Sequence, residues 1–313
     1  MSSIASSAGF LSEPGDDLID ELPPPEEVPT EAEAPAESAA AEEDDRIVPP
    51  VPEHLSDTGL PGSLLEQLLL KILYYRGDVT GRDLAVAVGL EYSVIEETIE
   101  TLKRQHLVSV KRSLGIGSKS ALYSLGETGR NLAREYLDTN QYAGPAPVPL
   151  YQYTAIVRRQ RQPDNWLTPE TLATAYRHMV VPQHILSQIG PAVNASKSFL
   201  IYGQPGNGKT ALAEALFRLE TEPIYIPYAI EYQGNIVQVY DPIYHQPIQD
   251  EESIFTTLSA GSRYDRRWFK SKRPFIITGG ELAMSMLDLS YNEGSKVYDA
   301  PFQLKANNGI YLI

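Results

Sequence analysis

The chain contains no cysteine, which excludes disulfides, thiolate zinc sites and cysteine nucleophiles. Its five histidines, His54, His106, His178, His184 and His245, are scattered without a metal-ligand spacing. No apolar run approaches the roughly 20 residues that a membrane-spanning helix needs, so no membrane partner is expected. Met1 to Phe10 lacks both basic residues and a long apolar stretch, so a secretory signal is not expected either. A soluble, cytoplasmic protein is the default reading.

Positive charge is scarce in one place only. Residues 1–60 hold 16 of the 41 Asp/Glu and one of the 26 Lys/Arg, Arg46, which accounts for the whole net charge of -15. The remaining residues are neutral overall. This first stretch is rich in Pro, Ala and Glu, as in Leu22-Pro23-Pro24-Pro25-Glu26-Glu27. Too little apolar surface is available there to offset chain entropy, so residues 1–60 are expected to be a disordered acidic tail. The tail reads as a solvating leader or, failing that, as an acidic arm for a protein partner.

Residues 61–140 carry a different pattern. Ser63 to Tyr75 is apolar at helical spacing and stops at Gly77; Thr80 caps a short helix over Gly81 to Val88. Ser93 begins a third helix, Val94 to His106, with Val94, Ile95, Ile99 and Leu102 on its inner side. Two strand-like runs follow, Leu107 to Lys111 and Ala121 to Leu125, joined by a basic loop from Arg112 to Ser120. Glu127 to Ala133 opens a closing helix. Three helices, a hairpin and a fourth helix resemble a winged helix, a small α+β domain. Its would-be reading helix carries Glu91, Glu96, Glu97 and Glu100 near the end that would meet bases and phosphates. Without a basic footprint there is little counterion release to drive duplex binding. Docking of a protein partner is therefore favoured over DNA reading.

Residues 141–164 begin with a Pro-rich stretch, Gln141 to Pro149, expected to be a semi-rigid linker. Residues 165–313 are then read as a nucleotide-binding domain. Thr168 and Pro169 open a helix, Val180-Val181 precedes another begun by Pro182, and Ser198 to Tyr202 is an apolar run of strand length. Gly203-Gln204-Pro205-Gly206-Asn207-Gly208-Lys209-Thr210 follows, in the pattern G-x-x-x-x-G-K-T, and a helical pattern continues from Ala211. Strand, glycine loop and helix in that order make a phosphate-binding loop. The glycines bring backbone N–H groups close to an anion, Lys209 reaches the phosphates of ATP, and the Thr210 hydroxyl is a ligand for Mg²⁺.

The run Tyr202 to Thr210, with the helices before it, resembles the AAA+ ATPases. The resemblance implies an α/β P-loop NTPase fold, ATP and Mg²⁺ as ligands, remodelling of a protein partner, and a homo-oligomer at the family level. It also places adenine against Val180 and Val181. Ile310 to Ile313 looks like the four apolar residues of a Walker B strand, whose carboxylates would fall beyond Ile313. On this reading the parallel sheet is incomplete, the product is truncated, and the chain binds ATP without the residues that hydrolyse it. A nucleotide-sensing transcription regulator using the winged helix on DNA is the competing reading.

Three further stretches carry weaker expectations. Glu222 to Tyr228 is read as the second strand and Ala229 to Asp241 as an exposed hairpin. Tyr232 near the hairpin tip would suit a substrate-contacting loop of the family. Tyr264 to Arg273, basic with interleaved aromatics, is read as a solvated face beside a strand, Pro274 to Thr278, and contact with nucleic acid or with a neighbour's acidic face is the alternative. Glu281, after two glycines, is read as a helix start.

Overall fold

The computed structural model describes residues 47–313, apart from 114, 116, 220 and 249–262. Of the acidic tail expected over 1–60, residues 1–46 lie outside the described residues, whereas 47–60 are not disordered: Pro49, Pro52, Thr58 and Leu60 are buried.

Helices dominate the first part because its apolar residues recur at helical spacing. A short turn, α1 (Leu55–Thr58), leads to α2 (Gly62–Arg76), α3 (Gly81–Val88) and α4 (Tyr92–Arg104). Thr80 caps α3 by accepting the Asp83 N–H, and Gly89 ends it in a left-handed conformation. Strands β1 (Val79–Thr80), β2 (Val108–Ser113) and β3 (Ala121–Leu125) form an antiparallel sheet in the order β1-β3-β2, and α5 (Glu127–Thr139) closes against α2. Leu65, Leu68, Leu69 and Leu70 are completely buried, as are Leu84 and Ile95. Tyr92 and Tyr123 share a buried hydroxyl hydrogen bond of 2.9 Å.

The Pro-rich stretch that follows is part of the core. Ala146 and Val148 have no exposed surface, Tyr142 is buried, and the Ala146 N–H donates to Val88 O at 2.7 Å. Strand β4 (Val148–Pro149) runs straight into α6 (Leu150–Arg159). Later come α7 (Pro169–Tyr176), α8 (Gln183–Asn194), α9 (Lys209–Ala215), β5 (Ile224–Pro227), β6 (Ala229–Tyr232), β7 (Asn235–Gln238) and β8 (Trp268–Ser271). The chain ends with β9 (Phe275–Ile277), β10 (Ser290–Asn292), β11 (Val297–Asp299), α10 (Phe302–Lys305) and β12 (Ile310–Leu312).

These strands make a mixed α/β architecture. A five-stranded sheet has the order β10-β11-β7-β6-β4, with β11-β7 and β6-β4 parallel and the other pairs antiparallel. Strands β5 and β8 pair antiparallel, and β9 and β12 pair parallel with Ile276 opposite Tyr311. The described residues, 47 onward, belong to one compact unit.

Several expectations need correcting here. The hairpin Ala229 to Asp241 is not exposed: β6 and β7 sit inside the five-stranded sheet, and Ile230, Ile236 and Val237 are buried. Expected as a second strand, Ile224–Pro227 pairs with β8, whereas the strand parallel to β12 is Phe275–Ile277. Tyr264 to Arg273 is core rather than a solvated face, because Trp268 and Phe269 pack inward and Arg267 is 1% exposed. Arg267 is neutralised in place. Its guanidinium pairs with buried Asp265 at 2.7 Å and donates to Thr58 O at 3.0 Å and to Gln152 Oε1 at 3.1 Å. One cation thus ties together α1, α6 and β8, the arrangement that keeps a buried charge affordable.

Candidate functional site

The Gly203–Thr210 stretch runs from the α8–α9 connection into the first two residues of α9. Gly206 and Gly208 have φ of 82° and 70°, which a Cβ would strain, and a Cβ built on either meets nothing within 4 Å. The loop is thus bent by its glycines and open to solvent. Gly208 is also the N-cap of α9, its carbonyl accepting the Leu212 N–H at 2.8 Å.

Lys209 folds back across this loop. Its Nζ donates to the carbonyl oxygens of Gly203 and Gln204 at 3.1 and 2.9 Å, with no carboxylate partner among the described residues. Both bonds are exposed, so a phosphate oxygen can replace them at little cost. Thr210 is the second residue of α9 and its side chain is exposed. Gln204, Pro205 and Asn207 are exposed as well. The sequence-predicted residues of this stretch are therefore brought together on one solvent-facing turn.

Behind the loop, a small core holds α9 in place. Leu167, Leu172, Ala175, Tyr176, Ile189, Ala215, Leu216 and Leu219 are buried together. The Tyr176 hydroxyl donates to Leu212 O at 2.7 Å, and burial pushes this phenol up to about 12. Asn194 exchanges two hydrogen bonds with the Leu167 backbone, fixing the end of α8 to the start of α7. The two valines expected at an adenine site part company. Val181 packs against this core, whereas Val180 is fully exposed.

The apolar run before the loop is not a paired strand. Ser198 to Tyr202 makes no ladder, and Leu200 and Tyr202 are 83% and 87% exposed. An extended segment needs neighbours on both edges before its backbone groups and apolar side chains are covered. The β9-β12 pair approaches the same core, through Ile310 and through a Phe217–Phe275 ring contact of 5.3 Å.

Sequence reasoning missed two supports of this site. Tyr176 shows no local signal beyond its place on an apolar helix face. Phe275–Ile277 falls within the strand read at Pro274 to Thr278, but its parallel pairing with β12, 35 residues later, was not legible. Glu281 does not begin a helix: its carboxylate accepts the Gly279 N–H at 2.8 Å in a turn, and backbone donors there lower its pKa. Tyr232 is half exposed beside the β6-β7 turn, with no other described feature pointing to substrate. Comparison with protein-family models and with curated proteins finds no match to this chain.

Proposed function

We propose that this protein binds ATP with Mg²⁺ at Gly203–Thr210, as a P-loop protein of the AAA+ type. The observation that carries the reading is the glycine-bent, solvent-facing turn whose one lysine is bonded, among the described residues, only to the turn's own carbonyls. Backbone N–H groups of Gly206 to Lys209 would hold the phosphates, with Lys209 supplying fixed positive charge and the Thr210 hydroxyl a metal ligand. Val181 is the candidate wall for the base. Mg²⁺, when bound, neutralises phosphate charge and orients the terminal phosphoryl group.

In its full form the reading couples ATP binding and hydrolysis to remodelling of a protein partner. The 61–140 module, read as a winged helix, would dock that partner. Its charges favour this over duplex reading: Glu96 on α4 accepts from the Ser118 hydroxyl at 2.6 Å, and Lys111 is paired with Asp78 at 2.8 Å. One of the few cations of the hairpin is thereby already engaged.

Calorimetry with MgATP tests the nucleotide site. The unaltered chain should bind with a Kd in about the micromolar range, and Lys209→Ala should weaken binding by roughly 100-fold or more. Thr210→Ala should retain ATP binding while losing most of its Mg²⁺ dependence. Unchanged affinity in Lys209→Ala would sink the reading.

A further inference from the structure

The segment between β9 and β10 turns outward side chains that a folded chain usually covers. Met284 and Met286, two of the four methionines, are 80% and 43% exposed, and Leu289 is 47% exposed. Ile277 before them and Tyr291 after them are also about half exposed. The segment is nonetheless ordered from within. Leu282 N–H donates to Gly279 O at 3.1 Å, Met286 N–H to Ala283 O at 2.9 Å, and the Gln303 side chain donates to Leu287 O. Exposed apolar side chains grouped on one surface and rimmed by polar residues mark interaction sites.

Charge narrows what could cover it. From Pro274 to Ser295 the chain has three carboxylates, Glu281, Asp288 and Glu293, and no Lys, Arg or His. All three are exposed, and none is in a salt bridge among the described residues. A second copy related by a two-fold axis would bring these like charges together. An anionic lipid surface would be repelled by the same groups. Methionine, unbranched and polarisable, suits a partner whose apolar side chains vary in shape.

We propose that residues 279–293 form a docking surface for a basic amphipathic segment of a partner protein. The partner's apolar side chains would lie against Met284, Met286 and Leu289, and its Lys or Arg residues against Glu281, Asp288 and Glu293. The proposal is independent of the nucleotide reading, since neither Lys209 nor Thr210 takes part.

Fluorescence anisotropy with a labelled synthetic Leu/Lys amphipathic helix, added to the full-length chain, tests it. The peptide should bind, more weakly as salt rises, while its Leu/Glu counterpart should not. The double variant Met284→Ser/Met286→Ser should weaken binding by about tenfold or more with an unchanged melting temperature. Asp288→Lys should weaken binding and flatten its salt dependence. Unchanged affinity in the double variant would overturn the proposal, because the peptide would then be held elsewhere, as on the acidic residues 1–60. Concentration-dependent dimerisation abolished by the double variant would overturn it too, assigning the surface to a second copy.

Discussion

Leu69 on α2 and Leu200 before the glycine loop belong to apolar runs of similar strength, and their fates differ completely. Leu69 is 0% exposed and Leu200 is 83% exposed. On a helix, an apolar stripe closes its backbone hydrogen bonds locally and needs only one neighbouring face, which α5, α3 and α4 supply to α2. A strand closes nothing by itself. Residues 62–146 therefore bury a continuous core that reaches Ala229, Ile236 and Val297, whereas 198–202 waits for pairing partners that the described residues do not provide. Stability and nucleotide binding should accordingly respond to different residues.

The largest effect on stability should come from Arg267, which fastens the first region to the rest. Arg267→Ala leaves Asp265 buried without its partner and strips a donor from Thr58 O and Gln152. We expect a loss of about 3–5 kcal/mol in urea unfolding. Lys209→Ala, in the exposed turn, should change stability by less than about 0.5 kcal/mol. Comparable losses in the two variants would erase the contrast between the regions.

Lys71 sharpens it from the other side. This lysine has no exposed surface, and among the described residues its Nζ donates only to Asn140, at 2.6 Å to Oδ1 and 3.2 Å to the carbonyl. Burial pushes its pKa from 10.5 down to about 8. The unfolded chain therefore holds the proton more tightly, so the charged lysine costs stability at neutral pH. That cost is full below about 8 and fades as pH rises towards 10.5. Asn140 Oδ1 also accepts the Tyr142 N–H at 3.3 Å, so it keeps a partner if the lysine is removed. Lys71→Met should stabilise the chain by about 1–3 kcal/mol at pH 7, and the gain should shrink across that alkaline window. Thermal melts at pH 7 and pH 10 measure both. A gain that is the same at the two pH values would show that Lys71 is not the titrating group.

What was legible in the sequence follows the same physics. The Gly77, Gly89 and Thr80 signals placed α2 and α3 within a residue or two, since caps are local chemistry. The β2-β3 and β6-β7 hairpins were legible for the same reason, each closed by a nearby turn. The Gly203–Thr210 stretch was legible because its residue types are set by a local backbone path. Burial of Arg267, Trp268 and Phe269 was not, because Thr58 and Gln152 converge on the arginine and its neighbour Asp265 from places far apart in the chain. Nor was the burial of Tyr142 and Ala146, whose composition resembles that of an open linker. The antiparallel pairing of β10 with β11 was not read either, although Glu293-Gly294-Ser295-Lys296 between them is a glycine-containing hairpin loop.

The smallest effect is expected at Leu200 itself. Leu200→Ala removes apolar atoms that face water in the folded chain nearly as much as in the unfolded one, so little transfer energy is lost. The change in unfolding free energy should stay within about 0.5 kcal/mol. The identical substitution Leu69→Ala deletes completely buried atoms and leaves a cavity, at a cost of about 2–5 kcal/mol. Urea titrations of the two variants, run side by side, hold chemistry constant and vary only burial. If Leu200→Ala proved as costly as Leu69→Ala, the 198–202 segment would be covered in solution. The glycine loop would then be held from its strand side as well as from α9, and the contrast between the two leucines would fail.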